Sequence, residues 1–308
     1  MKITIGPLLV DGLFSLGENA TLSGYLAKTH TPGLKGKDLN GVASLAWGTD
    51  KVSASASFSD VGENFNPEMG FIQWTDIRKY TGQVTLSPRP NFWNLRQIHF
   101  TNDLEIITDH DDRLQYRTLG TSLTHTFRNE SFFFVGLTNY YDNVPAAGFY
   151  LESTFIPQGT YSYNVGTVGF GSDYSRKLAG YLQVGSGSFY DGTFQGITLS
   201  STLRPNDTFR MDLDWNWNRV DVPFDQGEFA TSILGVRTIY TFTPNLFAKA
   251  DVQWNDFNNR VVANFLMNFI HTPGSDFYLV YNEMWDTSSG FSSMDRMLVA
   301  KLTYLFNL

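Results

Sequence analysis

A chain of 308 residues with 22 basic and 30 acidic side chains, a net charge of -8 and no cysteine has no disulfide framework or thiolate metal site, and it lacks the basic stripe of a nucleic-acid-binding protein. No stretch approaches the roughly 20 apolar residues of a spanning helix, and the start "MKITIGPLLVDG" lacks the apolar run and small-residue cleavage site of a signal peptide. Aromatics reach 16% of the chain while mean hydropathy is slightly negative, as expected when apolar and polar residues alternate rather than cluster.

Taken in chain order, the segments repeat one pattern. Lys51–Asp60 sets Val52, Ala54, Ala56 and Phe58 against Ser53, Ser55, Ser57 and Ser59. Arg210–Val220, "RMDLDWNWNRV", sets Met211, Leu213, Trp215 and Trp217 against Arg210, Asp212, Asp214, Asn216 and Asn218. Leu246–Asn255, Arg260–His271 and Leu298–Phe306 split in the same way. Side chains on a strand alternate between two faces, so these are strands with one apolar and one polar face. Helical spacing is absent, and the chain reads as all-β.

The connections alternate as well. Tight turns begin at Gly17, Gly48, Arg128, Arg204, Thr243 and Thr272, with "SPRPNFWN" at Ser87 a longer member of the set. Between them lie longer polar connections at 29–39, 60–75, 108–114, 142–158, 188–193, 220–229 and 286–295. Short turns on one rim and long loops on the other are the signature of a transmembrane antiparallel β-barrel, with short periplasmic turns and long extracellular loops. The expectation is a single domain over 1–308 with about 16–18 strands, the turns counting roughly 17. An odd count in a bacterial barrel leads to the further expectation that strands and an N-terminal domain precede this sequence. The Trp215 face is expected to meet lipid. The lumen row is expected to hold Arg117, Arg210, Asp212, Asp214, Arg219, Arg237, Lys249, Asp251 and Lys301.

The runs "GYLAKTHTPGLKGKDLNG" (Gly24–Gly41), "DVGENFNPEMGFIQWTDIRKYTGQVTLSPRP" (Asp60–Pro90) and "LVAKLTYLFNL" (Leu298–Leu308) resemble the C-terminal outer-membrane barrel region, of unknown function, of Bacteroidota-type proteins that carry an N-terminal carbohydrate-binding-module family 9-like domain. That resemblance implies a bacterial outer-membrane location and supplies no catalytic residues. The ending, with Tyr304 and Phe306 alternating before Leu308, also resembles the terminal strand read by the outer-membrane assembly machinery, although Leu308 stands where Phe is usual.

Three constellations invite chemistry. Asp109, Asp111 and Asp112, pooled with Asp60 or Glu63, form a candidate cation site, but the loop fails the calcium-loop spacing because Arg113 and Leu114 occupy positions five and six. Asp109–His110–Asp111 is the minimum for a rim-located hydrolase using histidine as general base. In the loop Asp60–Asp76, Phe65, Phe71 and Trp74 could stack on sugars. The alternative reading, and the favoured one, packs Phe65, Pro67 and Phe71 onto the barrel rim or mouth. The loop 142–158 is too apolar to stand in water. It is expected to enter the mouth, burying Val144, Phe149, Tyr150, Leu151, Phe155 and Ile156, with Glu152 meeting a lumen arginine. No cofactor is implied. The partners expected are the lipid bilayer, the assembly machinery, and glycans or partner proteins. The functions expected are a channel or translocator for polar cargo, a non-conducting anchor or docking platform, or a rim hydrolase.

Overall fold

The computed structural model describes residues 8–67 and 70–306, and among these every regular element is a β-strand. The first eight strands are β1 (Leu8–Leu16), β2 (Ala20–Lys28), β3 (Leu39–Gly48), β4 (Val52–Val61), β5 (Ile77–Leu86), β6 (Leu95–Asp109), β7 (Leu114–Phe127) and β8 (Phe132–Val144). A small hairpin follows, β9 (Phe149–Leu151) with β10 (Thr154–Ile156). The meander resumes with β11 (Gly159–Gly171), β12 (Leu178–Phe189), β13 (Gly192–Asn206), β14 (Phe209–Asp221), β15 (Glu228–Thr243) and β16 (Leu246–Asn255). It closes with β17 (Arg260–Thr272), β18 (Ser275–Asp286) and β19 (Ser292–Thr303). Seventeen strands belong to one sheet and the hairpin to a second, in agreement with the count from the turns. Each strand pairs antiparallel with its predecessor, and β11 pairs with β8 across the hairpin insertion.

Register carries the two faces of each strand intact into the next, because a slip of one residue would exchange them. One row runs Trp47–Ala54–Val84 on β3, β4 and β5. Another runs Leu137–Gly166 and Val135–Val168–Val184–Ile197–Trp217 from β8 to β14. The opposite face carries Ser200–Asp214–Gly235–Gln253 and Thr202–Asp212–Arg237–Asp251–Asn264 from β13 to β17. Among the described residues no second layer covers the apolar face. Leu137, Val168, Leu182 and Val184 lie exposed there.

The rims differ from expectation in detail. The connection expected as a long loop at 188–193 is a tight turn of Tyr190 and Asp191, with φ of 42° and 64°. Two positive φ values in succession match the right-handed twist of the flanking strands and close a hairpin in two residues. A further connection, 172–177, adds a longer member to the short-turn rim.

The sheet has two edges among the described residues. β1 pairs only with β2, β19 pairs only with β18, and no register joins β1 to β19. Every residue of β19 is exposed. With seventeen strands the two edges run in the same direction, so direct contact between them would be parallel. Burial concentrates elsewhere, in two clusters on the polar face at the long-loop rim. One gathers Val144, Ile156, Tyr161, Tyr163, Tyr190 and Val220, and the other gathers Ala27, Val61 and Phe65.

Candidate functional site

The polar face of β13–β18 lines a cleft of about 1080 Å³, with Arg210, Asp212, Asp214, Arg237, Lys249 and Asp251 in its wall. Strand register places these six on one face. Three cations and three carboxylates therefore share a small area, and each carboxylate is satisfied locally. Arg237 Nε donates to Asp251 at 2.5 Å, and Lys249 Nζ lies 2.8 Å from the same carboxylate. Arg210 Nε donates to Asp212 at 2.8 Å, and the Thr202 hydroxyl donates to it at 2.7 Å. Asp214 accepts from the Ser200 hydroxyl at 2.7 Å. The wall is polar, ordered and balanced in charge, which suits passage or weak holding of polar solutes of either sign. Lys301 keeps the same parity but stands on the exposed edge strand β19, opposite Tyr278 and outside the cleft.

Arg117 and Arg219 do not join this wall. Register puts Arg117 between Ile106 and Tyr141, on the face of Leu119, Leu123 and Leu137. Arg219 lies opposite Ala230, on the Trp215 face, and donates to Glu228 at 2.6 Å. Both belong to the apolar face at its loop-rim end. The parity was available in the sequence, since Arg117 sits two residues from Leu119 and six from Leu123. Grouping by charge hid it.

Above the wall the polar face becomes aromatic. Tyr140 stacks on Tyr163 at 5.1 Å, while Tyr163 and Tyr161 meet Tyr190 at 5.3 and 5.0 Å. The Tyr190 hydroxyl donates to Asp142, and burial together with that carboxylate pushes its pKa well above the usual tyrosine value. Onto this floor folds the β9–β10 hairpin. Ile156 and Thr154 are fully buried, Phe149 meets Tyr190 edge-on at 5.8 Å, and the Thr154 hydroxyl donates to the Gln226 carbonyl at 2.5 Å. The hairpin thus covers the polar face at the rim and is pinned to the β14–β15 loop. Tyr150 and Phe155, expected to be buried, face outward from the hairpin and lie exposed against each other, and Glu152 does not meet a lumen arginine. It sits exposed at the hairpin tip with φ of 53°, in none of the ion pairs among the described residues.

The loop between β4 and β5 behaves similarly. Phe65 is buried against Ala27 and Val61, and Ile72 packs on the same cluster. Phe71, by contrast, is 90% exposed, so the expectation that it packs against the rim is corrected. Trp74 is partly exposed and lies edge-on to Tyr116 at 6.2 Å.

The acidic turn after β6 divides its charges. Asp109 accepts from Arg113 Nε at 2.7 Å, Asp111 pairs with Arg113 at 2.9 Å, and Asp112 turns to Arg78 at 2.6 Å. Glu63 pairs with Lys37 at 2.8 Å. Cations already claim Asp109, Asp111, Asp112 and Glu63, and no group of metal-binding geometry forms among the described residues. His110 leaves its sequence neighbours and bridges two other carboxylates, Asp76 through Nδ1 at 2.7 Å and Asp60 through Nε2 at 3.1 Å. Sequence spacing did not show this, because Asp60 and Asp76 come from opposite ends of another loop. A carboxylate at each ring nitrogen favours the imidazolium, the form in which no lone pair is left for a general base. Partial burial works against that charge, but the two carboxylates outweigh it and raise the pKa.

No protein-family model matches the chain, and no curated protein is detectably similar to it.

Proposed function

We propose that this chain is a bacterial outer-membrane β-barrel that passes polar cargo, with a mouth narrowed by the β9–β10 hairpin. The observation that carries this reading is the recurrent division of one seventeen-stranded sheet into a polar face and a largely apolar one that lies exposed. Bare apolar surface costs roughly 25 cal/mol per Å² in water, a cost that hydrocarbon removes. The central strands exceed the ~9–11 residues that a tilted strand needs to cross a bilayer: β13 has 15 residues and β15 has 16. Toward the long-loop rim the apolar rows give way to charged pairs, Asp60 with Arg78, Arg219 with Glu228 and Glu283 with Arg296. These suit a headgroup boundary. The resemblance to barrels that accompany a carbohydrate-binding domain makes glycan-derived molecules the cargo class to try first.

The test is single-channel conductance in planar bilayers, for the parent and for a deletion of Pro145–Pro157 closed by Gly-Ser. The deletion should conduct clearly more. A correctly folded deletion with unchanged flux would remove the gating role. Burial of the mouth by two loops also favours a second reading, a non-conducting docking platform. A parent that stays closed with and without the hairpin decides for that reading.

A further inference from the structure

The outward-facing arginines near the long-loop rim are alike in position and unlike in company. Arg78 has Asp112 at 2.6 Å, Arg219 has Glu228 at 2.6 Å and Arg296 has Glu283 at 2.7 Å. Arg117 has no carboxylate within ion-pair distance among the described residues. It donates through Nη2 to the neutral Asn139 oxygen at 3.0 Å and lies 5.8 Å from the centre of the Tyr141 ring. Its Nε is buried and has no hydrogen-bond partner. Toward the rim, Asp109 is held by Arg113 and by Gln115.

Its surroundings fix the level at which it sits. One row across the apolar face reads Phe58, Tyr80, Ile106, Arg117 and Tyr141. On the short-turn side of this row come Leu104 and Leu119, then Asn102, Thr121 and Leu137, and then Phe100, Leu123 and Val135. On its rim side come Arg78 and Gln115, the latter bonded to Asn143 at 3.1 Å. Arg117 therefore lies next to the row where charged side chains such as Arg78 take over at the rim, among tyrosines of the kind that settle at headgroup level. A guanidinium carries five N–H donors in a rigid fork that matches phosphate oxygens. Asn139 takes one of them.

We propose that Arg117, with Asn139 and Tyr141 beside it, is a binding site for the phosphate headgroup of an anionic membrane lipid. This rests on the membrane-spanning reading given above. The lipid supplies the counter-charge that the other outward arginines obtain from the protein, and Asn139 holds the fork toward it. Mutual compensation leaves Arg78, Arg219 and Arg296 without that role.

The experiment takes the full chain folded in detergent and into vesicles of phosphatidylcholine, with and without phosphatidylglycerol. Insertion is scored first by protease protection. A chain that does not insert sinks the membrane reading, and this proposal with it. For the inserted chain, native mass spectrometry reads retained lipid. Arg117→Gln should lower phosphatidylglycerol retention about fivefold, the equivalent of about 1 kcal/mol for one basic residue at an anionic surface. Arg117→Lys should fall between the two, and Arg219→Gln should match the parent. Retention by the glutamine variant equal to the parent's overturns the proposal while leaving the membrane reading intact. Should that variant not fold, the parent alone decides: equal retention of phosphatidylglycerol and phosphatidylcholine overturns it. Complete displacement by inorganic phosphate would instead assign a free-anion site and overturn the lipid.

Discussion

β14 and β19 carry the same alternation, yet they live in different surroundings. On β14, Asp212 and Asp214 are held by Thr202 and Ser200 from one neighbour, and Trp215 Nε1 donates at 2.9 Å to Ser232 on the other. On β19 one neighbour is present, and no residue of the strand escapes exposure. Its side-chain anchors both reach back to one carboxylate, Glu283 on β18, from Arg296 at 2.7 Å and from the Ser293 hydroxyl at 2.8 Å. A period-two pattern thus specifies which way each side chain points, while neighbours on both sides determine how much of it is stabilised.

The largest effect is expected where the central strands receive additional cover. Ile156, on β10 of the hairpin, is fully buried against the aromatic floor, and Ile156→Ala should weaken hairpin docking by about 2–5 kcal/mol. Hydrogen exchange of the 149–156 amides reads this directly. Exchange as slow as in the parent would mean that something other than this packing holds the hairpin.

Next comes the contrast between faces. Phe265 and Asn264 are adjacent on β17 and opposite in direction. A lysine at Phe265 should cost about 2–4 kcal/mol if that face meets hydrocarbon, whereas Asn264→Lys should stay within about 0.5 kcal/mol. Equal folding yields of the two variants in vesicles would contradict the assignment of the faces.

A smaller, pH-dependent effect belongs to the latch at His110. Its pKa is raised in the folded chain by Asp60 and Asp76 against the opposing pull of burial. The stability it contributes is therefore complete below the ordinary histidine pKa and is lost as pH rises through the higher folded value. Proteolysis within 62–76 should accelerate over that window, and His110→Gln should abolish the dependence. A flat profile in the parent would show that the bridge does not hold the loop.

The gentlest probe addresses the edges. Leu13 faces Ser23 on β2, so a cysteine pair at those two positions should link on mild oxidation. Leu13→Cys with Val299→Cys should stay unlinked. A link there would mean that β1 and β19 meet directly, in parallel.

Much of this molecule was legible in its residues taken one after another. Seventeen segments, their two faces and the membership of Arg210, Asp212, Asp214, Arg237, Lys249 and Asp251 in one polar row follow from parity and turn chemistry. Both are local properties of neighbouring side chains. Parity also held the correct side for Arg117, although its charge suggested the other. What no local rule could supply was company. The bridging of His110 by Asp60 and Asp76, the sharing of Arg113 by Asp109 and Asp111 while Asp112 turns to Arg78, and the exposed tip of Glu152 depend on which loops meet at a rim. So does the seating of Phe65 and Ile156 while Phe71 stays out. Those meetings are set by the curvature of the sheet and the lengths of neighbouring strands, quantities that exist only once all the strands have paired.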